Sequence, residues 1–134
     1  MEKKKVKAVI TGGKDFFGVW LEGIENGAIG SEGTTIDDLK NNLQEAIALH
    51  IEDGDIPEVL QGDYEIEYTF DTSGFLKYCS QYISFAGLKT ITGVAQKQLW
   101  DYANGYRHPK KETSEKIRNG INSFCKELSQ VQLH

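Results

Sequence analysis

The segment Phe85-Ala-Gly-Leu-Lys-Thr-Ile-Thr-Gly93-Val-Ala-Gln-Lys-Gln-Leu99-Trp-Asp-Tyr-Ala-Asn-Gly105 reads as two short helices joined by a tight turn. Gly93 supplies the turn, and Leu88 and Ile91 line the inner face of the helix before it. Val94, Leu99 and Tyr102 do the same for the turn and the second helix, which Gly105 caps. Gln96, Lys97 and Gln98 are left pointing outward at the N-terminal end of that second helix. Downstream, Tyr106-Arg107-His108-Pro109-Lys110-Lys111 is a basic loop, and Glu112-Thr113-Ser114-Glu115 opens another helix. Ile117, Ile121, Phe124, Cys125 and Leu128 form the apolar stripe of that helix. Upstream, a helix from Phe75 to Tyr82 completes an all-α unit, residues 74–134.

A pair of helices with a polar N-terminal end on the second is the helix-turn-helix arrangement, in which that end enters the major groove of DNA. Gln bonds an adenine edge in two places, and Lys donates to guanine. The basic loop suits backbone phosphate, although Lys110 and Lys111 read equally as a solvated face. Trp100 reads either as a core or dimer residue or as a DNA contact. The run Gly93-Val-Ala-Gln-x-x-Leu-x-x-Tyr-x-Asn-Gly105-x-x-x-Pro109 resembles the Cro/C1-type (XRE-like) DNA-binding domain. Two positions depart from that pattern: Lys89 stands where the family usually has a small Ala, and Thr92 replaces an apolar residue. The resemblance implies base contacts from Gln96, Lys97, Gln98 and Trp100; Arg107, Lys110 and Lys111 of the basic loop are the candidate contacts to backbone phosphate. A generic helical pair with a glycine turn is the plainer alternative.

The remaining half, residues 1–73, has a different rhythm. Lys5 to Ile10 is a β-type run that ends at Gly12-Gly13, and Phe16 to Leu21 is rich in β-formers. A turn at Gly13-Lys14-Asp15 makes the two a hairpin, Asn26-Gly27 is a turn dipeptide, and Ala28 to Ser31 is a third short strand stopped by Gly33. Thr35 then caps a helix whose first turn carries Asp37 and Asp38. Leu39, Leu43, Ala46, Ile47, His50 and Ile51 form its apolar face, and Gly54 ends it. Tyr64 to Phe70 alternates strictly, as a strand with one wet face does. The order β-β-β-α-β predicts an α+β fold, a small sandwich of one helix on one sheet, followed by the helix-turn-helix unit. Asp71-Thr72-Ser73-Gly74 reads as a polar break and domain boundary between the two.

Charge divides at the same place. Residues 1–73 hold 6 Lys against 16 Asp and Glu, a net of −10; residues 74–134 hold 9 Lys and Arg against 4 Asp and Glu, a net of +5. A basic half suits phosphate and an acidic half is repelled by it, so the division points to two different partners. No apolar run has the length of a membrane span, and the basic start, Met1 to Lys5, is not followed by a signal-type stretch, so a cytoplasmic protein is expected. Cys79 and Cys125 are 46 positions apart, lack the spacing of a zinc site, and read as small buried hydrophobes.

Residues 6–70 resemble the N-terminal domain of the HicB antitoxins, a partially degraded RNase H-like fold. The stretches that carry it are Phe17-Gly-Val-Trp-Leu21, Gly30-Ser-Glu-Gly-Thr-Thr-Ile-Asp-Asp-Leu39, Glu45-Ala46 and Gly54-Asp-Ile-Pro57. That resemblance implies a type II antitoxin that masks a small basic HicA-like mRNA-cleaving toxin and represses its own operon as a dimer or higher oligomer. RNase H-type catalysis needs a carboxylate cluster around two metal ions, with one carboxylate in the first strand, and Val6 to Ile10 has none. Asp15, Glu22, Asp37 and Asp38 look like solvated surface, and His50 on the apolar face looks like a satisfied core histidine. The expectation is a binding protein with no catalytic residues, metal or cofactor. The competing readings are a free-standing repressor whose N-terminal domain dimerises or senses a ligand, and a metal-dependent nuclease.

Overall fold

The computed structural model describes residues 3–24, 28–54 and 56–134; the expected turn at Asn26-Gly27 lies outside them. Strand β1 (Lys4–Gly13) pairs antiparallel with β2 (Phe16–Leu21) across a two-residue turn, Lys14-Asp15. Asp15 takes a left-handed backbone there (φ 64°), a conformation Asp tolerates better than most residues. Strand β3 (Gly30–Gly33) pairs antiparallel with β2, helix α1 (Ile36–Glu52) follows, and β4 (Tyr64–Phe70) returns parallel to β1. The spatial order is β3-β2-β1-β4, and the α+β architecture is as expected. The third strand begins two residues later than its β-type residues suggest. The backbone of Gly30 passes so close to β2 that a Cβ there would lie 2.6 Å from the Val19 carbonyl oxygen.

One face of the sheet is covered. Val6, Ala8 and Ile10 of β1 and Phe17, Val19 and Leu21 of β2 meet Leu39, Leu43 and Ile47 of α1 in a core that also takes Ile29 and Leu60. Thr35 caps α1 as expected, its hydroxyl accepting the Asp38 N–H at 3.1 Å, and Gly54 follows the helix at φ 83°. The apolar stripe of α1 outlasts the core: His50 is only half-buried in the last turn and Ile51 is exposed, so His50 is not a core histidine. The other face of the sheet carries Lys5, Lys7, Trp20, Glu65, Glu67 and Thr69, which are exposed, and Val9, which is buried between Trp20 and Thr69. Register sets Lys5 beside Glu65 and Lys7 beside Glu67, an alternation of sign that cross-strand pairs favour.

Four helices complete the chain: α2 (Thr72–Cys79), α3 (Phe85–Thr92), α4 (Gln96–Ala103) and α5 (Lys111–Ser129). Leu76, Leu88, Val94, Leu99, Tyr102, Ala103, Ile117 and Ile121 form their shared core. The stripe of α5 is buried only over its first half. Phe124 is half-buried and Cys125 and Leu128 are exposed, which corrects the reading of Cys125 as a buried hydrophobe. Cys79 does pack against the helical core, and burial pushes its thiol pKa up.

The sequence 71–74 is not a loop. Asp71 caps α2 with its carboxylate on the Gly74 N–H at 2.8 Å, so the helix starts at Thr72 rather than Phe75 and ends at Cys79 rather than Tyr82. Ser73 and Gly74 are buried against β1. The Ser73 hydroxyl donates to the Gly12 carbonyl at 3.1 Å and accepts the Gly12 N–H at 3.2 Å. Thr72 donates to Ser114 of α5 at 2.9 Å, and the Lys77 ammonium lies 5.7 Å from the Phe17 ring. Small and polar residues stand here because they form a seam between the sheet and the helices. Replacing Asp71 with Ala should cost about 1 kcal/mol, the usual value of a helix N-cap, read as a drop in the urea midpoint. An unchanged midpoint would show that the carboxylate is not capping. No helix among the described residues is long and apolar enough to cross a membrane.

Candidate nucleic-acid interface

The turn between α3 and α4 places the second helix. Gly93 adopts φ 75°, a left-handed conformation that a side chain would strain. Thr92, read from the sequence as a departure, is buried with its hydroxyl satisfied. It donates to the Leu88 carbonyl at 2.7 Å and accepts the Val94 N–H at 3.1 Å, tying helix to turn. Lys89 is exposed on the outer side of α3 and packs between no helices. From behind, α5 crosses α3 closely at Gly120, where a Cβ would meet the Ile91 carbonyl at 2.7 Å.

Side chains cap the N-termini of α1, α2 and α3: Thr35, Asp71 and Ser84. None caps α4 or α5, whose cap positions are Ala95 and Lys110. The free N–H groups and positive dipole end of such helices favour anions. The second of these termini closes the basic loop at Lys110, and the first lies at the other end of α4.

Leu99, Tyr102 and Ala103 anchor α4 in the core and leave Gln96, Lys97 and Trp100 on its outer stripe. Gln96 is exposed and makes no side-chain hydrogen bond among the described residues. Lys97 is exposed, but its ammonium pairs with Asp101 at 2.9 Å and lies 4.9 Å from the centre of the Trp100 ring. Gln98 does not point outward: it is half-buried and donates to the Tyr102 hydroxyl at 2.9 Å, because position 98 faces the same side as the buried Tyr102 one turn on. Trp100 is no core residue. It is 40% exposed, and its indole stacks on Tyr106 with centroids 5.5 Å apart and planes 16° from parallel. Arg107, His108 and Lys110 are exposed in the loop that follows. Lys111 lines a different place, a cleft of about 490 Å³ where Phe70, Phe75, Ile117 and Arg118 meet.

Lys97, Trp100 and their neighbour Tyr106 are thus drawn together, while Gln98 is turned away and Lys111 stands apart. Two participants were missed by reading the sequence. Asp101 lies at the i+4 position from Lys97, a spacing that signals an ion pair. Tyr106 gave no such signal, since it reaches Trp100 through a loop that a hydrogen bond from its N–H to the Asp101 carbonyl, 2.9 Å, helps fold back over α4. Elsewhere, Asp15 sits in the hairpin turn and Glu22 is exposed; Asp37 and Asp38 are exposed in the first turn of α1. No three His, Cys, Asp or Glu side chains converge as metal ligands among the described residues. No family model, no curated protein and no solved structure matches this chain.

Proposed function

We propose that this chain is a HicB-type antitoxin: its sheet unit neutralises a small basic HicA-like mRNA-cleaving toxin, and its helical unit represses the operon that encodes both. The observation that carries the reading is the uncapped N-terminal end of α4, bearing exposed Gln96 and Lys97, on a unit of net charge +5 fused to a sheet unit of −10. The α4 end docks in the major groove of operator DNA, and the loop from Arg107 to Lys110 lies along the phosphates. The sheet unit is too acidic to follow it onto DNA. Its net charge of −10 is opposite in sign to a basic protein, which speeds association. Two-fold operators with half-sites one turn apart call for a dimer or higher oligomer. The activity is binding without a catalytic step, in the cytoplasm, where both partners are met.

Co-expression with the neighbouring gene tests the partner. Co-purification with a small basic protein whose RNA cleavage is silenced in the complex is the expected result. A chain that leaves such a neighbour active is not its antitoxin. On the DNA side, Gln96→Ala should lose roughly 1–3 kcal/mol of affinity for a specific site, and Lys110→Ala should reduce the salt slope by about one unit. Both are read by gel-shift titration at several salt concentrations. Unchanged operator affinity in Gln96→Ala places base recognition elsewhere.

A further inference from the structure

The outer stripe of α4 holds one apolar group among polar ones. Trp100 follows Gln96 by one helical turn, so the two side chains share a face. An indole left in water at this position is held in place twice: Tyr106 stacks on it at 5.5 Å, and the Lys97 ammonium lies 4.9 Å from its centre. Such bracing fixes the ring before any ligand arrives, so little side-chain freedom is lost on binding. Resting on the DNA reading above, we infer that α4 selects A·T base pairs, with Trp100 packed on the methyl group of a thymine and Gln96 on an adenine edge.

Four features of α4 lead to that class of base pair. In the major groove, the only apolar group a base pair presents is the thymine methyl, so an apolar side chain inserted there gains by meeting it. Lys97, the natural guanine reader, has its ammonium engaged by Asp101 at 2.9 Å, and contacting guanine would require breaking that pair. Gln98 is held inward by Tyr102. Gln96 remains as the unengaged amide, and a glutamine amide matches adenine N6 and N7. Trp100 is therefore a specificity-determining residue, and Tyr106 is the residue that positions it.

The test uses the full chain and duplexes recovered by selection from a random-sequence pool. Replacing dT by dU removes the methyl and leaves every hydrogen bond of the pair intact. The wild-type chain should bind the uracil duplex about fourfold more weakly for each contacted methyl removed, the factor that corresponds to burying one methylene-sized group. Trp100→Ala should bind the thymine and uracil forms equally. Equal binding of both forms by the wild-type chain, or recovered sites with G·C at the selected positions, overturns the inference while DNA binding stands. Recovery of no duplex at all removes the DNA reading itself and this inference with it.

Discussion

Replacing Gly74 with Ala should lower the stability of the whole chain by about 3 kcal/mol, the upper part of the range for forcing extra volume into a packed site. Two effects oppose each other at this position. Gly74 lies inside α2 with an ordinary helical backbone, where Ala is the better helix former by about 1 kcal/mol. A Cβ there, however, would stand 2.2 Å from the Ile10 carbonyl oxygen, 2.8 Å from the Ile10 carbonyl carbon and 3.1 Å from Thr11 Cα. All three are main-chain atoms of β1 and cannot rotate aside. Gly12 makes the reciprocal approach from the sheet, where a Cβ would stand 2.3 Å from the Ala103 carbonyl at the end of α4. The steric effect wins, and thermal unfolding of Gly74→Ala should begin much earlier than in the wild type, with the sheet and helices separating into distinct transitions. A variant stabilised by the helical propensity of Ala would show that β1 and α2 do not meet as described.

Leu99→Ala should cost about 2–5 kcal/mol, the usual range for emptying a fully buried leucine site. Leu99 is completely buried and is the side chain that presses the middle of α4 into the helical core against Leu88 and Val94. A loss of that size is a large share of the 5–15 kcal/mol that typically holds a domain of this kind together. Chemical denaturation followed by tryptophan fluorescence reads it directly, since Trp100 is the next residue. A loss below about 1 kcal/mol would mean that α4 is not anchored through this position.

Much of this arrangement is local and was therefore legible. The hairpin of β1 and β2, the Thr35 cap, the alternation of Tyr64 to Phe70 and the turn at Gly93 all follow from neighbours in sequence. Gly12, Ser73 and Gly74 misled because glycine and serine signal turns, whereas here they allow two backbones 61 positions apart to touch. The helix expected to open at Glu112 begins one residue earlier, at Lys111, since its cap position, Lys110, has no capping side chain to mark it. At the candidate site, Gln96 and Lys97 were found where expected, exposed at the N-terminal end of α4. Gln98 looked equally exposed, since a polar residue's inward hydrogen bond to Tyr102 depends on packing that no spacing reports. The Trp100–Tyr106 stack depends on the path of the loop after Gly105, whose φ of 78° turns the chain back.

Amide chemical shifts of the isotope-labelled full chain, followed while duplex DNA of random sequence is added at low ionic strength, locate the DNA-facing surface residue by residue. Electrostatic contact is strongest under these conditions. The largest shifts should fall on Ala95 to Lys97, Trp100, Arg107, His108 and Lys110, with Lys5, Glu65 and Glu67 of the open sheet unmoved. Shifts confined to the sheet, or none at the start of α4 while the DNA is bound, would contradict a basic helical unit that reads DNA beside an acidic sheet reserved for another partner.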